Sequence, residues 1–305
     1  MTCLRRDFFS KGQLMTYILQ QVLNALQLGS IYALIALGYT MVYGILTMIN
    51  FAHGDLFMLG AFFCFLAATY LHLPFIPTLL VSMIGVAIVG VLIERFAYKP
   101  LRQAPRVSAI ITALGVGIFL ENFTLVFAPY PLSVPTLIKN TTWVIGGVSI
   151  SSLQLLIIAL SLVFMFLLDF IVRKTMVGMA MRAISWDKAI VPLMGVPMNL
   201  VISATFALGT SLGAAAGVMY SLAFPVIDPY MGVLIGWKAF IAAVVGGIGN
   251  IRGAMIGGFI LGGVEILVAA FLPSTYRDFV AFSLLLVLLI IRPYGILGKP
   301  RPQKV

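Results

Sequence analysis

The sequence is a succession of apolar runs, each near the length that crosses a lipid bilayer. A helix needs about 20 predominantly apolar residues to traverse the hydrocarbon core. Such runs occupy 14–46, 56–73, 75–93, 107–128, 151–172, 201–220, 233–247, 254–272 and 279–291. They are apolar all round rather than along one stripe, unlike the surface helices of a soluble domain. They also lack the period-2 alternation of outer-membrane strands, which argues against a β-barrel. Of 305 residues, 62% are hydrophobic and 9% charged. Soluble domains carry about 25% charged residues to cover their surface, so a soluble protein is excluded, and disorder is excluded by the same hydrophobicity. The fold expected is an all-α integral membrane protein, a polytopic bundle of eight to ten transmembrane helices with broken or re-entrant segments. A basic N-terminal tail (1–13) precedes one membrane domain (14–291), and a short tail (292–305) follows it.

The charges set the orientation. Loop 94–106 carries Arg95, Lys99, Arg102 and Arg106, and loop 173–200 carries Arg173, Lys174, Arg182 and Lys188. The C-terminal tail carries Arg292, Lys299, Arg301 and Lys304, whereas loop 129–150 has only Lys139 and segment 221–232 has no basic residue. Basic loops stay in the cytoplasm, so 94–106, 173–200 and the C-terminus are expected inside and 129–150 outside. This placement also accounts for the net charge of +10 without nucleic acid, for which no phosphate-gripping loop is present. The N-terminus conflicts with the scheme. Counting back from 94–106, the first run starts outside, yet Arg5, Arg6 and Lys11 favour the cytoplasm. Either this tail is an exception, or a segment between 14 and 75 does not cross fully, for example an interfacial stretch 14–28. No Ala-x-Ala site follows that stretch, so an uncleaved anchor is expected. Of the two cysteines, Cys3 is terminal and Cys64 lies in an apolar run, which excludes a disulfide scaffold.

Strongly polar residues inside the runs are the functional candidates, because a carboxylate at the bilayer centre costs on the order of 3 kcal/mol. Glu121 and Asn122 lie within 107–128, and Glu265 lies near the middle of 254–272. Asn50, His53 and Asp55 belong to the cluster Asn-Phe-Ala-His-Gly-Asp between the first two runs. Gly54 suggests a helix break there, and irregular backbone at depth survives only against protein or a wet cavity. These residues form a candidate translocation path. The plainer readings are Asp55 as an N-cap at a surface turn and the two glutamates as buried partners of other polar groups. A metal at His53 is not expected, since His72 is the one other histidine and a site needs three or four ligands. Lys238 and Asp228, near run ends, are expected to snorkel or cap.

Glycines recur at i, i+4, i+8 in Gly209, Gly213 and Gly217, and again in Gly249, Gly253 and Gly257. Small residues on one face let helices approach closely in lipid, so helix packing is the expected role, compatible with a repackable wall along a path. The stretch Gly246-Gly-Ile-Gly-Asn-Ile-Arg-Gly253 lacks the Gly-Lys-Ser/Thr of a phosphate loop and the strand of a dinucleotide fold, and a glycine-rich break is expected there. No His-Glu-x-x-His or Gly-x-Ser-x-Gly motif occurs, so the chain is not expected to be an enzyme. In loop 173–200 a helix is expected over 177–191, ended by Pro192. Its Met181, Ile184 and Trp186 are apolar, and Ala183, Asp187 and Val191 share a face. Such a helix either lies on the bilayer or docks a cytosolic partner.

Four segments resemble one family. They are Leu28 through Asp55, Met181-Arg-Ala with Asp187 and Leu193-Met-Gly-Val196, Ala242 through Gly258, and Arg292-Pro-Tyr-Gly-Ile-Leu-Gly298. Together they are similar to the permeases of branched-chain amino acid ABC importers, of the LivH type, over about residues 15–298. The Asn-Phe-Ala-His-Gly-Asp segment is the most specific, while the Gly-rich one is shared with sugar permeases. The resemblance implies a bacterial inner-membrane subunit working with a second homologous permease, two cytosolic ATPase subunits that bind the ATP, and a periplasmic substrate-binding protein. It implies that 177–196 contacts the ATPase through Gly178, Arg182, Ala183, Asp187 and Gly195. The sequence departs from the pattern at Trp186, a position more polar in many relatives, and the Met1–Gly12 extension has no counterpart. The substrate implied is a branched-chain or other hydrophobic amino acid, with urea, short amides or another small solute as the alternative. From a different class, a proton-coupled secondary transporter would use Glu121 or Glu265 as a relay.

Overall fold

The computed structural model describes residues 11–188 and 190–298, so the tail residues 1–10 and 299–305 lie outside it. Among the described residues the helices are α1 (Lys11–Leu46), α2 (His53–Thr69), α3 (Phe75–Ile93), α4 (Arg106–Phe127), α5 (Ser152–Lys174), α6 (Met176–Trp186), α7 (Met198–Ala223), α8 (Met231–Gly246), α9 (Ile251–Phe271) and α10 (Tyr276–Ile291). Four short strands accompany them, β1 (Leu132–Ser133), β2 (Thr142–Ile145), β3 (Val148–Ser151) and β4 (Val226–Ile227). β1 pairs with β4 and β2 with β3, both antiparallel. Six helices are long and apolar enough to cross a membrane: α1, α3 with its π-helical continuation to Tyr98, α4, α5, α7 and α9. The molecule is an all-α polytopic membrane protein.

Run 14–46 is one uninterrupted helix, so 14–28 is not a separate interfacial segment. At 1.5 Å per residue its 36 residues extend about 54 Å, well beyond the roughly 30 Å hydrocarbon core. Hydrogen bonds sort the connections onto two faces. On one, Lys188 Nζ donates to the Leu46 carbonyl (2.7 Å), Arg102 to Asn199 Oδ1 (2.6 Å), and Asn250 Nδ2 to the Leu297 carbonyl (2.8 Å). On the other, Thr16 donates to the Gly146 carbonyl (3.5 Å), Tyr17 to that of Ala270 (3.1 Å), and the Ser149 N–H to Gln20 Oε1 (2.9 Å). The first face gathers the basic loops. α1 therefore starts on the face of loop 129–150, as counting back from loop 94–106 requires.

α1 and α7 form the buried centre, and α3, α4 and α5 each leave an apolar face exposed. Small residues explain the close centre. A Cβ added at Gly209 would lie 3.2 Å from the Gly38 carbonyl oxygen, one at Gly213 3.3 Å from the His53 ring, and one at Gly217 3.0 Å from Ala61 N. Gly253 and Gly257 likewise face α8, at Gly246 and Ala242. Gly249 does not belong to their stripe. Together with Gly247 (φ 107°), Gly249 (φ 91°) forms the positive-φ turn between α8 and α9, where Asn250 caps α9 by accepting the Gly253 N–H at 3.3 Å. The glycine-rich stretch is thus a tight turn on the basic face.

The interruptions that matter lie at 47–52 and 224–230. α2 and α8 have 17 and 16 residues, short of a full crossing. The chain enters α2 from the basic face, where α1 ends, and enters α8 from the opposite face, where β4 pairs with β1. Yet their first turns touch. A Cβ on Gly54 would lie 2.8 Å from the Gly236 Cα, and one on Gly232 2.7 Å from the Gly54 carbonyl oxygen. The two helices therefore begin inside the bundle and leave in opposite directions. Gly54 serves this backbone contact within the first turn of α2, and the break itself precedes it, with Thr47 at φ 57°.

Candidate functional site

Where α2 and α8 meet, a cavity of about 260 Å³ opens between α1, α2, α4 and α8. Its wall comprises Tyr39 of α1, Phe51 of the break, Asp55 of α2, Ala113, Leu114, Gly117, Ile118 and Glu121 of α4, and Gly232, Val233, Gly236 and Trp237 of α8. Two glycines make room for Asp55. A Cβ on Gly117 would lie 2.5 Å from its Oδ2, and one on Gly232 3.0 Å from its Oδ1. The carboxyl groups of Asp55 and Glu121 both line this cavity. The aromatic side is continuous, with Phe51 against Trp237 at 5.3 Å between ring centroids and Trp237 against Phe240 at 6.2 Å. Asp55 is in the first turn of α2 and beside that of α8, where the partial positive charge of helix N-termini favours an acidic side chain.

The other residues of the expected path are placed elsewhere. Asn50 is buried and its Oδ1 accepts the Tyr98 hydroxyl at 2.7 Å, which ties the break to the π-helical end of α3. His53 is buried edge-on to Tyr39, 4.8 Å between centroids, filling the gap that Gly38 and Gly213 leave. Asn122 is exposed and donates to the Ile118 carbonyl of its own helix at 2.8 Å.

Glu265 belongs to a second buried cluster. Its Oε2 accepts the Tyr32 hydroxyl at 2.9 Å and its Oε1 pairs with Lys238 Nζ at 2.7 Å. The same ammonium reaches Asp278 at 2.8 Å. This cluster binds α1, α8, α9 and α10 together. Lys238 does not snorkel: its side chain is 9% exposed, because two carboxylates from later helices meet it. Asp228 does act locally, accepting the Tyr230 N–H at 2.8 Å in the turn before α8.

On the basic face, α6 forms the predicted loop helix but ends at Trp186, short of Pro192. Thr175 caps it by accepting the Gly178 N–H at 3.1 Å. Gly178 lets it fold back on the carbonyls of Ile171 and Val172, burying Met181 and Ile184. Asp187 is extended, and its Oδ1 accepts the Ile190 N–H at 3.2 Å, so Ala183, Asp187 and Val191 do not share a helix face. Arg182 donates to the Arg173 carbonyl at 3.2 Å. A 3₁₀ turn over Val191–Met194 closes on Gly195 at φ 78°. Met176, Met179, Trp186, Leu193 and Met194 remain exposed, an apolar surface on the basic face.

Trp237, Gly117 and the 224–230 interruption are features of the candidate site that sequence reading did not single out. Pro225 and Pro229 were the available signal, since each disfavours helix at the residue before it.

The helical membrane bundle with two short helices opposed at a carboxyl-bearing cavity is that of a membrane permease, a transport component, as its family shows. The chain belongs to the family described as branched-chain amino acid transport system, permease component, which matches residues 21–289. It is 43% identical to the high-affinity branched-chain amino acid transport system permease protein LivH of Escherichia coli (strain K12), over 95% of this chain and 98% of that one. It is 42% identical to the corresponding BraD of Pseudomonas aeruginosa, with the same coverage. A probable LivH of Methanocaldococcus jannaschii is 28% identical over 90% of this chain and 91% of its own.

Proposed function

We propose that this chain forms the membrane path of an ATP-driven importer of branched-chain or other hydrophobic amino acids in the inner membrane. A second homologous permease subunit stands beside it. Two cytosolic ATPase subunits bind the ATP, and a periplasmic substrate-binding protein delivers the solute. The observation that carries this reading is the cavity at the meeting point of α2 and α8, reached from opposite faces by two interrupted segments. Broken helices at such positions commonly surround small-solute sites in transporters. The exposed apolar surface of α6 and the turn to Gly195 supports docking of the ATPase, as an amphipathic helix presented to a groove. ATP binding would then displace α6 and, through Lys188 and the Leu46 carbonyl, the end of α1.

The test is uptake of labelled leucine into proteoliposomes holding the assembled complex, with ATP at the ATPase face and binding protein at the other. Accumulation that requires ATP and persists with a proton ionophore is expected. Uptake that follows an imposed proton gradient without ATP would overturn the reading in favour of secondary transport.

A further inference from the structure

Asp55 is 5% exposed, and its Oδ1 has no hydrogen-bond partner among the described residues. A buried, unmatched carboxylate oxygen is costly unless something is supplied to it. It points into the cavity beside Glu121, and among the residues lining that cavity there is no lysine or arginine. Phe51 and Trp237 line the same cavity, with their ring centroids 5.3 Å apart.

We propose that this cavity recognises a primary ammonium group carried on a branched apolar chain, with Asp55 and Glu121 holding the ammonium and Phe51 and Trp237 the chain. The proposal rests on the reading of this chain as an amino-acid path. An ammonium presents three donors, enough to satisfy Asp55 Oδ1 and Glu121 together through charge-assisted bonds. Ring faces of Phe51 and Trp237 favour a nearby cation as well. An anion without an ammonium meets two carboxyl groups and no counter-charge. A neutral amide or urea supplies donors but no charge. The cavity, about 260 Å³, lies just under the roughly 300–1,000 Å³ of drug-sized pockets, a scale suited to a single amino acid.

The test uses the complete transporter in nanodiscs, with Ala113→Cys as reporter in a chain lacking Cys3 and Cys64. Ala113 is buried and lines the cavity, so its maleimide modification, read by mass spectrometry, requires the cavity to be free. Four probes of similar shape are compared: leucine, isopentylamine, 4-methylpentanoate and isovaleramide. Leucine and isopentylamine are expected to slow modification, and 4-methylpentanoate and isovaleramide are not. Asp55→Asn and Glu121→Gln should each raise the half-protecting concentration of isopentylamine roughly ten- to a hundredfold, the range of one charged hydrogen bond. Equal protection by 4-methylpentanoate and isopentylamine, no protection by any probe, or unchanged half-protection in both variants overturns the proposal. The probe series on the parent reporter stands even if a variant fails to assemble. ATP-driven leucine uptake by the same complex reconstituted in proteoliposomes separates the two levels. Uptake without the head-group pattern refutes this site and leaves the permease reading intact, whereas absence of uptake refutes the permease reading itself.

Discussion

Replacing Lys238 with methionine should destabilise the protein severely, and Glu265 is where the cost falls. The ammonium of Lys238 lies 2.7 Å from Glu265 and 2.8 Å from Asp278. The two carboxylates are not equivalent: the Asp278 side chain is 49% exposed and the Glu265 side chain 3%. Water can take over for Asp278. Glu265 would keep only the Tyr32 hydroxyl. Removing one partner of a buried pair costs about 3–5 kcal/mol, because a buried charge is left uncompensated. For a chain of this size that corresponds to a fall in Tm on the order of 10 °C. Thermal unfolding in detergent, followed by loss of the monodisperse peak, measures it. Lys238→Met with Glu265→Gln should recover much of the loss, since the unpaired charge is gone, whereas Lys238→Met with Asp278→Asn should not. A single variant as stable as the parent, or equal recovery by the two double variants, would refute the reasoning.

Four further outcomes are expected. Arg182→Glu or Asp187→Arg should abolish ATP-coupled uptake while the protein still inserts; normal uptake by both would remove the docking role of this loop. Single cysteines at Gln13 and Thr141 should be labelled from one side of the membrane and a cysteine at Ser185 from the other, and any other pattern contradicts the two-faced arrangement. Gly217→Leu should impair assembly, because a Cβ there already reaches the backbone of α2, whereas Gly115→Leu, with open space around it, should be tolerated; equal effects would mean the α7 stripe does not control packing. Tyr98→Phe should cost about 1 kcal/mol through the lost bond to Asn50, read as a small drop in Tm with leucine uptake otherwise retained.

Much of the architecture was legible because membrane insertion leaves local marks. Apolar runs gave the spans, and basic loops gave a parity that α1 obeys despite Arg5, Arg6 and Lys11. Asp55 and Glu121 stood out singly, since a carboxylate in an apolar run is conspicuous. Their convergence on one cavity was not legible, for nothing local relates positions on α2 and α4. The same holds for Lys238, whose partners Glu265 and Asp278 come one and two helices later, so that near a run end it read as a snorkelling cation. Gly54 was misread for a different reason. A glycine that permits a turn and one that admits another backbone look identical in one sequence, and the strained residue proved to be Thr47. Pro225 and Pro229 were visible, but a short gap between two runs reads as a surface loop until its depth is known.

α1 also has a mechanical consequence. It contains no proline and runs unbroken from Lys11 to Leu46. One end accepts Lys188 of the basic-face loop, and the other holds the β2–β3 hairpin through Thr16 and Gln20. A helix resists axial compression, so this one acts as a push-rod between the two aqueous compartments. On this reasoning, spin labels near its two ends should keep a constant separation in every nucleotide state.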